Sequence, residues 1–176
     1  ALIEAGWQGS PTLRILCGGE ALPRDLAESL IERSGELWNV YGPTETTIWS
    51  TVARVTPGDG PVPIGRPIAN TRIHILDKYH NTAPIGVVGE LFIGGTGLAH
   101  GYRHRADLTA ERFVTIRGER LYRTGDLARY RPDGTILCLG RVDNDEKIRG
   151  YRVAVEEIEG ALTEHPEIVA AAVRSW

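Results

Sequence analysis

The feature that most constrains this chain is the way turn residues cut it into short apolar runs. Leu13-Arg14-Ile15-Leu16-Cys17 stops at Gly18-Gly19, which suits a buried strand. Leu22 to Arg33 follows, with Leu22, Leu26, Leu30 and Ile31 at helical spacing and Pro23 near the start. Leu37 to Tyr41 is a second buried-strand candidate, closed by Gly42-Pro43. Strand, helix, strand in this order is the unit of a parallel α/β sheet.

Beyond Gly42 the punctuation changes. Thr46 to Val55 is rich in β-branched residues, Thr71 to Leu76 alternates, and Val87 to Ile93 is a further strand candidate. Pro57-Gly58-Asp59-Gly60 separates two of these runs, and Arg131-Pro132-Asp133-Gly134 is a hairpin signal between Arg120–Tyr130 and Thr135–Leu139. The pattern predicts antiparallel β structure, as in a distorted barrel, interrupted by a short helix at Ala106 to Phe113. After the polar cluster Asp143-Asn144-Asp145, Lys147 to Val155 reads as extended and Val155 to Glu164 as a helix with Glu156 and Glu157 in its first turn. Ile168 to Val173 reads as a strand. The expected fold class is mixed α/β: part of a parallel α/β sheet, an antiparallel barrel, and the start of a small α+β subdomain. The boundary falls at Asp143, giving 1–142 and 143–176.

Composition removes several function classes. The chain is 41% hydrophobic and 24% charged, ordinary for a globular protein. Twenty Lys+Arg against 23 Asp+Glu leave a formal charge of -3, so neither a nucleic acid nor a membrane surface is expected as partner. The apolar runs are too short to span a bilayer, and no signal segment opens the chain. Two cysteines, Cys17 and Cys138, make no disulfide framework, which points to a reducing cytoplasm. The Cys and His spacing suggests no metal site, and Cys17 reads as a small packing residue rather than a nucleophile. The chain starts at Ala1 in what reads as mid-helix and has no Met, so a piece of something longer is expected.

Four segments carry chemistry. Asn39-Val40-Tyr41-Gly42-Pro43-Thr44-Glu45-Thr46-Thr47 ends a strand in a tight turn that presents hydroxyls and a carboxylate, where α/β folds place ligands. Thr44 suits a phosphate oxygen and Glu45 a magnesium ion; an ordinary capped turn reads as well. In Tyr122-Arg123-Thr124-Gly125-Asp126-Leu127, Asp126 suits both hydroxyls of a ribose, or is a plain hairpin aspartate. Gly94-Gly95-Thr96-Gly97 lacks the lysine of a phosphate loop and reads better as a tightly packed or flexible turn. Gly140-Arg141-Val142-Asp143 puts a fixed cation and an anion at the boundary, either for a ribose or phosphate and a hinge, or as a surface ion pair.

Taken in chain order, with the glycine-rich segment widened to Gly89-Glu90-Leu91 and Gly94 to Gly101 with Tyr102, and running on through Lys147-Ile148-Arg149-Gly150-Tyr151-Arg152, the four segments resemble the adenylation domains of nonribosomal peptide synthetases, within the adenylate-forming superfamily. The resemblance runs from Leu13 to Glu159. It implies an ATP-dependent ligase that forms aminoacyl-AMP and passes the aminoacyl group to a phosphopantetheine thiol, after a C-terminal lid subdomain rotates. It implies ATP and Mg2+ as cofactors, and an amino acid, a peptidyl carrier domain and condensation domains as partners. By resemblance Asn39 pairs with the adenine edge and Tyr41 stacks on it. Thr44 binds the α-phosphate, Glu45 the magnesium, Asp126 the ribose with Arg141 beside it, and Asp143 is the hinge. Leu16, Gly18, Val40, Ile48 and Trp49 line the amino-acid pocket, whose apolar character suggests an aliphatic or aromatic side chain; Trp49 also reads as core packing.

The sequence departs from the family at Cys138, where an aromatic is usual, at Asp145-Glu146, and at Ala154. The family's phosphate-gripping loop and the aspartate for the substrate amine are expected before Ala1, and its catalytic lysine beyond Trp176. The chain alone is therefore expected to be an inactive fragment. Two other readings stay open: an acyl- or aryl-CoA ligase of the same superfamily, and a non-catalytic degenerate module.

Overall fold

A computed structural model describes residues 2–142, the strands of a small hairpin after them, and scattered residues from 158 to 173. The strand–helix–strand opening is present. Strand β1 (Ser10–Gly18), helix α1 (Arg24–Ile31) and strand β2 (Ser34–Tyr41) follow one another, and β1 pairs with β2 in parallel, Leu16 opposite Trp38 and Gly18 opposite Val40. The helix begins after Pro23, extended at φ -62 and ψ 146, whose carbonyl accepts from Ala27 N at 2.9 Å. Its inward stripe is Ala27, Leu30 and Ile31, which pack with Leu22, Leu37 and Val55; Leu26 faces outward. The stripe is therefore rotated from the one the leucine spacing suggests, because the small Ala27 lets the helix lie close on the sheet.

Strand β3 (Thr51–Val55) runs antiparallel to β2, and the two-residue β4 (Arg66–Pro67) completes a four-stranded sheet in the order β1-β2-β3-β4. The expected strand over Thr46–Val55 is only its second half; Thr44–Thr46 forms a 3₁₀ turn instead.

The antiparallel region is a second sheet: β5 (Thr71–Leu76), β6 (Gly89–Gly95), β7 (Phe113–Ile116), β8 (Glu119–Tyr130) and β9 (Ile136–Arg141), in the order β5-β6-β8-β7 with β9 on the far end of β8. Among the described residues no ladder closes it into a ring, so the barrel is open. Helix α2 (Ala106–Arg112) precedes β7. The β8–β9 hairpin turns at the expected Arg131–Gly134, with Gly134 at φ 78. Two hydrogen bonds stitch the sheets together, Ile64 N to Ile136 O and Ile136 N to Gly65 O, both 2.9 Å. Gly65 sits there at φ 86, with Val52 O so near that a Cβ has no room.

Alternation along β6 serves two cores. Leu91 and Ile93 join Tyr41, Ile64, Ile75, Ala128 and Ile136 between the sheets, while Phe92 packs with Leu76 and Leu121 on the other side. Past Arg141, β10 (Glu146–Ile148) and β11 (Tyr151–Val153) pair antiparallel, within the stretch expected to be extended. Ile158 and Ala161 to Thr163 are helical, as the pattern suggests, whereas Ile168 and Ala170 to Val173 are not in a strand. Asp143, Gly150 and Ala154 lie outside the described residues.

Candidate active site

The turn after β2 is held under strain. The chain leaves the strand at Tyr41 and returns at Ser50, whose N–H donates to Tyr41 O at 2.7 Å. A Cβ on Gly42 would lie 2.5 Å from Ile48 O, so only glycine lets the loop close this tightly. Thr47 and Ile48 both adopt left-handed φ, 63° and 69°, which β-branched residues disfavour. The conformation is enforced by Thr46 Oγ1 against Ser50 Oγ at 2.6 Å and by Thr47 Oγ1 donating to Gly97 O at 2.7 Å. Strain of this kind persists only where the surroundings over-determine it, and it gathers at ligand sites. Its effect is to present Thr44 on the surface and leave Glu45 half-buried.

Glu45 is gripped from the glycine-rich segment. Its backbone carbonyl accepts from Ala99 N at 2.8 Å, and its Oε1 accepts from the Tyr102 hydroxyl at 2.5 Å. Among the described residues no hydrogen bond or ion pair reaches Oε2. Burial first, then the bonds to Glu45 and Tyr122, push the Tyr102 phenol well above its usual range, so it is a donor at neutral pH. No group of three or more His, Cys, Asp or Glu gathers among the described residues. A single carboxylate oxygen beside an exposed hydroxyl does fit magnesium, which keeps several waters and takes its other ligands from substrate phosphates.

Asp126 is held differently. Gly125, at φ 76, lies where β8 bulges against β6, between Arg123 and Leu127, beside the inward-turned Asp126 carboxylate. Oδ1 accepts from Arg141 Nη1 at 2.9 Å, and Oδ2 accepts from the Tyr41 hydroxyl. Arg141 also donates to Thr124 O at 3.2 Å, and the Asp126 N–H to Thr124 Oγ1 at 2.9 Å. The Asp126 and Arg141 side chains are only 9% and 12% exposed, so this is a buried pair; the other pairing that the sequence left open, Arg141 with Asp143, lies outside the described residues. Burial, then the Asp126 charge, raises the Tyr41 phenol well above its usual value. Asn39 is buried next along β2, its Nδ2 donating to Pro63 O at 2.9 Å.

With the Thr47 hydroxyl on Gly97 O, these contacts join all four chemical segments. Tyr41 meets Asp126, Glu45 meets Tyr102, Tyr102 Oη lies 3.5 Å from Tyr122 Oη on the same strand as Asp126, and Arg141 meets Asp126.

Comparison with known proteins gives the family. The family model described as AMP-binding enzyme matches residues 4–103, more than half of the chain. The chain belongs to the AMP-binding enzyme family. It is 53% identical over 166 residues to a dimodular nonribosomal peptide synthase of Bacillus subtilis, covering 92% of this chain and 7% of that protein. It is also similar to two solved structures. One is a holo four-domain nonribosomal peptide synthetase bound to AMP and glycine (46% identity, TM-score 0.78, 98% of this chain and 13% of that one). The other is the Vibrio cholerae adenylation domain AlmE with glycyl-adenosine-5′-phosphate (31% identity, TM-score 0.89, 99% and 35%). The chain thus spans a small part of the length of its relatives.

Within this AMP-binding chain the expected pocket residues divide. Leu16, Gly18 and Val40 share the sheet face opposite α1, as their register requires, and Gly18 has no room for a Cβ against Val40 O at 2.6 Å. Val40 is buried, but Leu16, Ile48 and Trp49 are 49%, 65% and 48% exposed. Trp49 is therefore not a core residue here. Cys138 packs beside Tyr41 in the inter-sheet core. Sequence reasoning quoted Tyr102 and Tyr122 but gave them no role; the only signal was that both sit in segments of the motif series. The Gly94–Gly97 run is a tightly packed turn, since a Cβ on Gly95 would stand 2.1 Å from Asn70 O.

Proposed function

We propose that this chain supplies nucleotide-binding residues of an enzyme that activates an amino acid as its adenylate and passes it to a carrier phosphopantetheine thiol. The convergence of Tyr41, Asp126, Arg141 and Glu45 at the end of β2 carries the reading. The AMP, glycine and glycyl adenylate in the two similar structures support it.

In this reading the substrate carboxylate oxygen attacks the α-phosphorus of ATP. A new P–O bond forms, the bond to the β-phosphate oxygen breaks, and pyrophosphate leaves with the electron pair. Magnesium, when bound, neutralises charge on the phosphate oxygens. Thr44 donates to an α-phosphate oxygen from its exposed position. Glu45 would hold the ion through the oxygen that Tyr102 leaves free. Asp126, fixed by Arg141, accepts from the ribose hydroxyls, for which the Tyr41 hydroxyl must yield Oδ2. The adenine contacts of Tyr41 and Asn39 rest on the family resemblance, since both side chains are buried, Tyr41 within the inter-sheet core. The exposed Leu16, Ile48 and Trp49 favour an apolar substrate side chain.

The test is ATP–pyrophosphate exchange by the full-length protein in which this sequence occurs, over a panel of amino acids and of acyl and aryl acids. Exchange with an apolar amino acid is expected. Exchange only with acids lacking an amino group moves the reading to an acyl- or aryl-acid ligase, and no exchange at all overturns it.

A further inference from the structure

We propose that Tyr102 is a positioning residue for Glu45, fixing Oε1 so that Oε2 alone is presented to the cation. The inference rests on the adenylation reading above and deepens it. A glutamate at the rim of a loop has three side-chain torsions, and its two oxygens exchange by rotation. Magnesium demands near-octahedral geometry, so a carboxylate that turns freely is a poor ligand. Here one oxygen is tied at 2.5 Å and the other is not, among the described residues.

Tyr102 is itself built in. Its backbone N–H donates to Thr109 Oγ1 at 2.9 Å, and Thr109 Oγ1 donates on to Arg105 O at 2.8 Å. Its ring meets Phe113 edge-on, with centroids 5.8 Å apart, and Phe113 in turn leans on Tyr122 at 5.2 Å. Gly101 precedes it at φ 146 because a Cβ there would lie 2.4 Å from Thr109 Cγ2. The same segment fixes the main chain under Glu45: Ala99 N holds Glu45 O, and Gly97 passes so near Thr46 O that a Cβ would stand at 2.9 Å. The glycine-rich run that lacks a phosphate loop's lysine thus has a task of its own. It braces the carboxylate rather than cradling the phosphate.

The experiment compares wild type, Tyr102→Phe and Tyr122→Phe in the full-length protein. Calorimetry measures ATP affinity with magnesium and with EDTA, alongside melting temperature. Tyr102→Phe keeps the ring on Phe113 and removes only the donor. It is expected to lower the magnesium-dependent gain in affinity by about tenfold, a charged hydrogen bond's worth, while metal-free affinity and melting stay as in wild type. The concentration of free magnesium that half-saturates pyrophosphate exchange should rise by a similar factor. Tyr122→Phe, which leaves the Glu45 bond in place, should keep the wild-type magnesium response. Should Tyr102→Phe fail to fold, Thr109→Val loosens the Tyr102 backbone without touching either ring, and a smaller shift in the same direction is expected. Unchanged magnesium dependence in the folded variant overturns the proposal. So does an equal loss of affinity with and without metal, which marks a merely structural role. No ATP binding by wild type overturns the adenylation reading and this inference together, whereas normal wild-type binding with an indifferent Tyr102→Phe overturns this inference alone.

Discussion

The two carboxylates at the end of β2 are kept in opposite states. Asp126 is buried, and both its oxygens are taken, by Arg141 and by Tyr41. Glu45 is half-buried on a strained turn, with one oxygen tied and the other without a hydrogen bond among the described residues. Asp126 is therefore part of the scaffold as much as of the site, and its removal should be felt in folding. Glu45 costs the fold little, and its removal should be felt in chemistry. The difference follows from position: Asp126 comes from a bulge in the longest strand of the second sheet, Glu45 from a single helical turn on the surface.

The sharpest way to break this contrast is to delete one acid at a time. Asp126→Ala leaves Arg141 buried beside a missing partner, which typically costs about 3–5 kcal/mol. Glu45→Ala should stay within about 0.5 kcal/mol of wild type, because it leaves no charge stranded in the interior. Urea unfolding of both variants checks the pair, and equal losses would end the distinction.

The Tyr41 hydroxyl tests the same contrast from the other side. Tyr41→Phe keeps the ring in the core and strips one donor from a buried carboxylate, at a cost of about 1.5–3 kcal/mol. The phenol's folded-state pKa is raised, so its contribution is complete below the ordinary tyrosine value near pH 10 and is lost as pH climbs beyond it. Wild type should lose stability in that alkaline window, and Tyr41→Phe should lose less. Parallel unfolding curves from pH 8 to 11 would show it; identical alkaline slopes would mean that Tyr41 is not held by Asp126.

Much of this was legible beforehand, and unevenly. The parallel strand–helix–strand opening, the β8–β9 hairpin and the four motif segments can be read because turn residues and apolar runs are local signals. The rotation of α1 onto Ala27 cannot, since helical spacing marks several apolar stripes and only the sheet chooses among them. Thr47 and Ile48 in left-handed conformations contradict their own preferences, so no propensity argument finds them; the contact to Gly97, fifty positions on, enforces them. Tyr102 was hidden for the same reason, as its partner Glu45 is 57 residues away.

Strain on the Glu45 turn gives a further test. Ile48 is largely exposed and sits at φ 69, where a β-branched residue is costly and glycine is not. Ile48→Gly should raise stability by about 1 kcal/mol, after glycine's added backbone freedom in the unfolded chain is subtracted. Ordinary core turns lose stability on such a change. A gain in melting temperature with weaker Mg-ATP binding would mark the turn as a place where stability is given up for geometry. A loss of stability would show that the left-handed conformation is not strained.

The smallest effect is expected where the sequence made its most specific substrate claim. Leu16 and Trp49 are about half exposed, so replacing either with serine removes few buried contacts. The change in unfolding free energy should stay within about 0.5 kcal/mol for each. If both residues line the amino-acid pocket, the same replacements should shift the ranking of amino acids in pyrophosphate exchange, away from large apolar side chains. A pocket built from exposed residues can be altered without loss of fold, which is how one scaffold serves many substrates. Serine variants that keep both stability and ranking would place the selecting residues elsewhere, with Val40 and Trp38 on the same sheet face as the next positions to change.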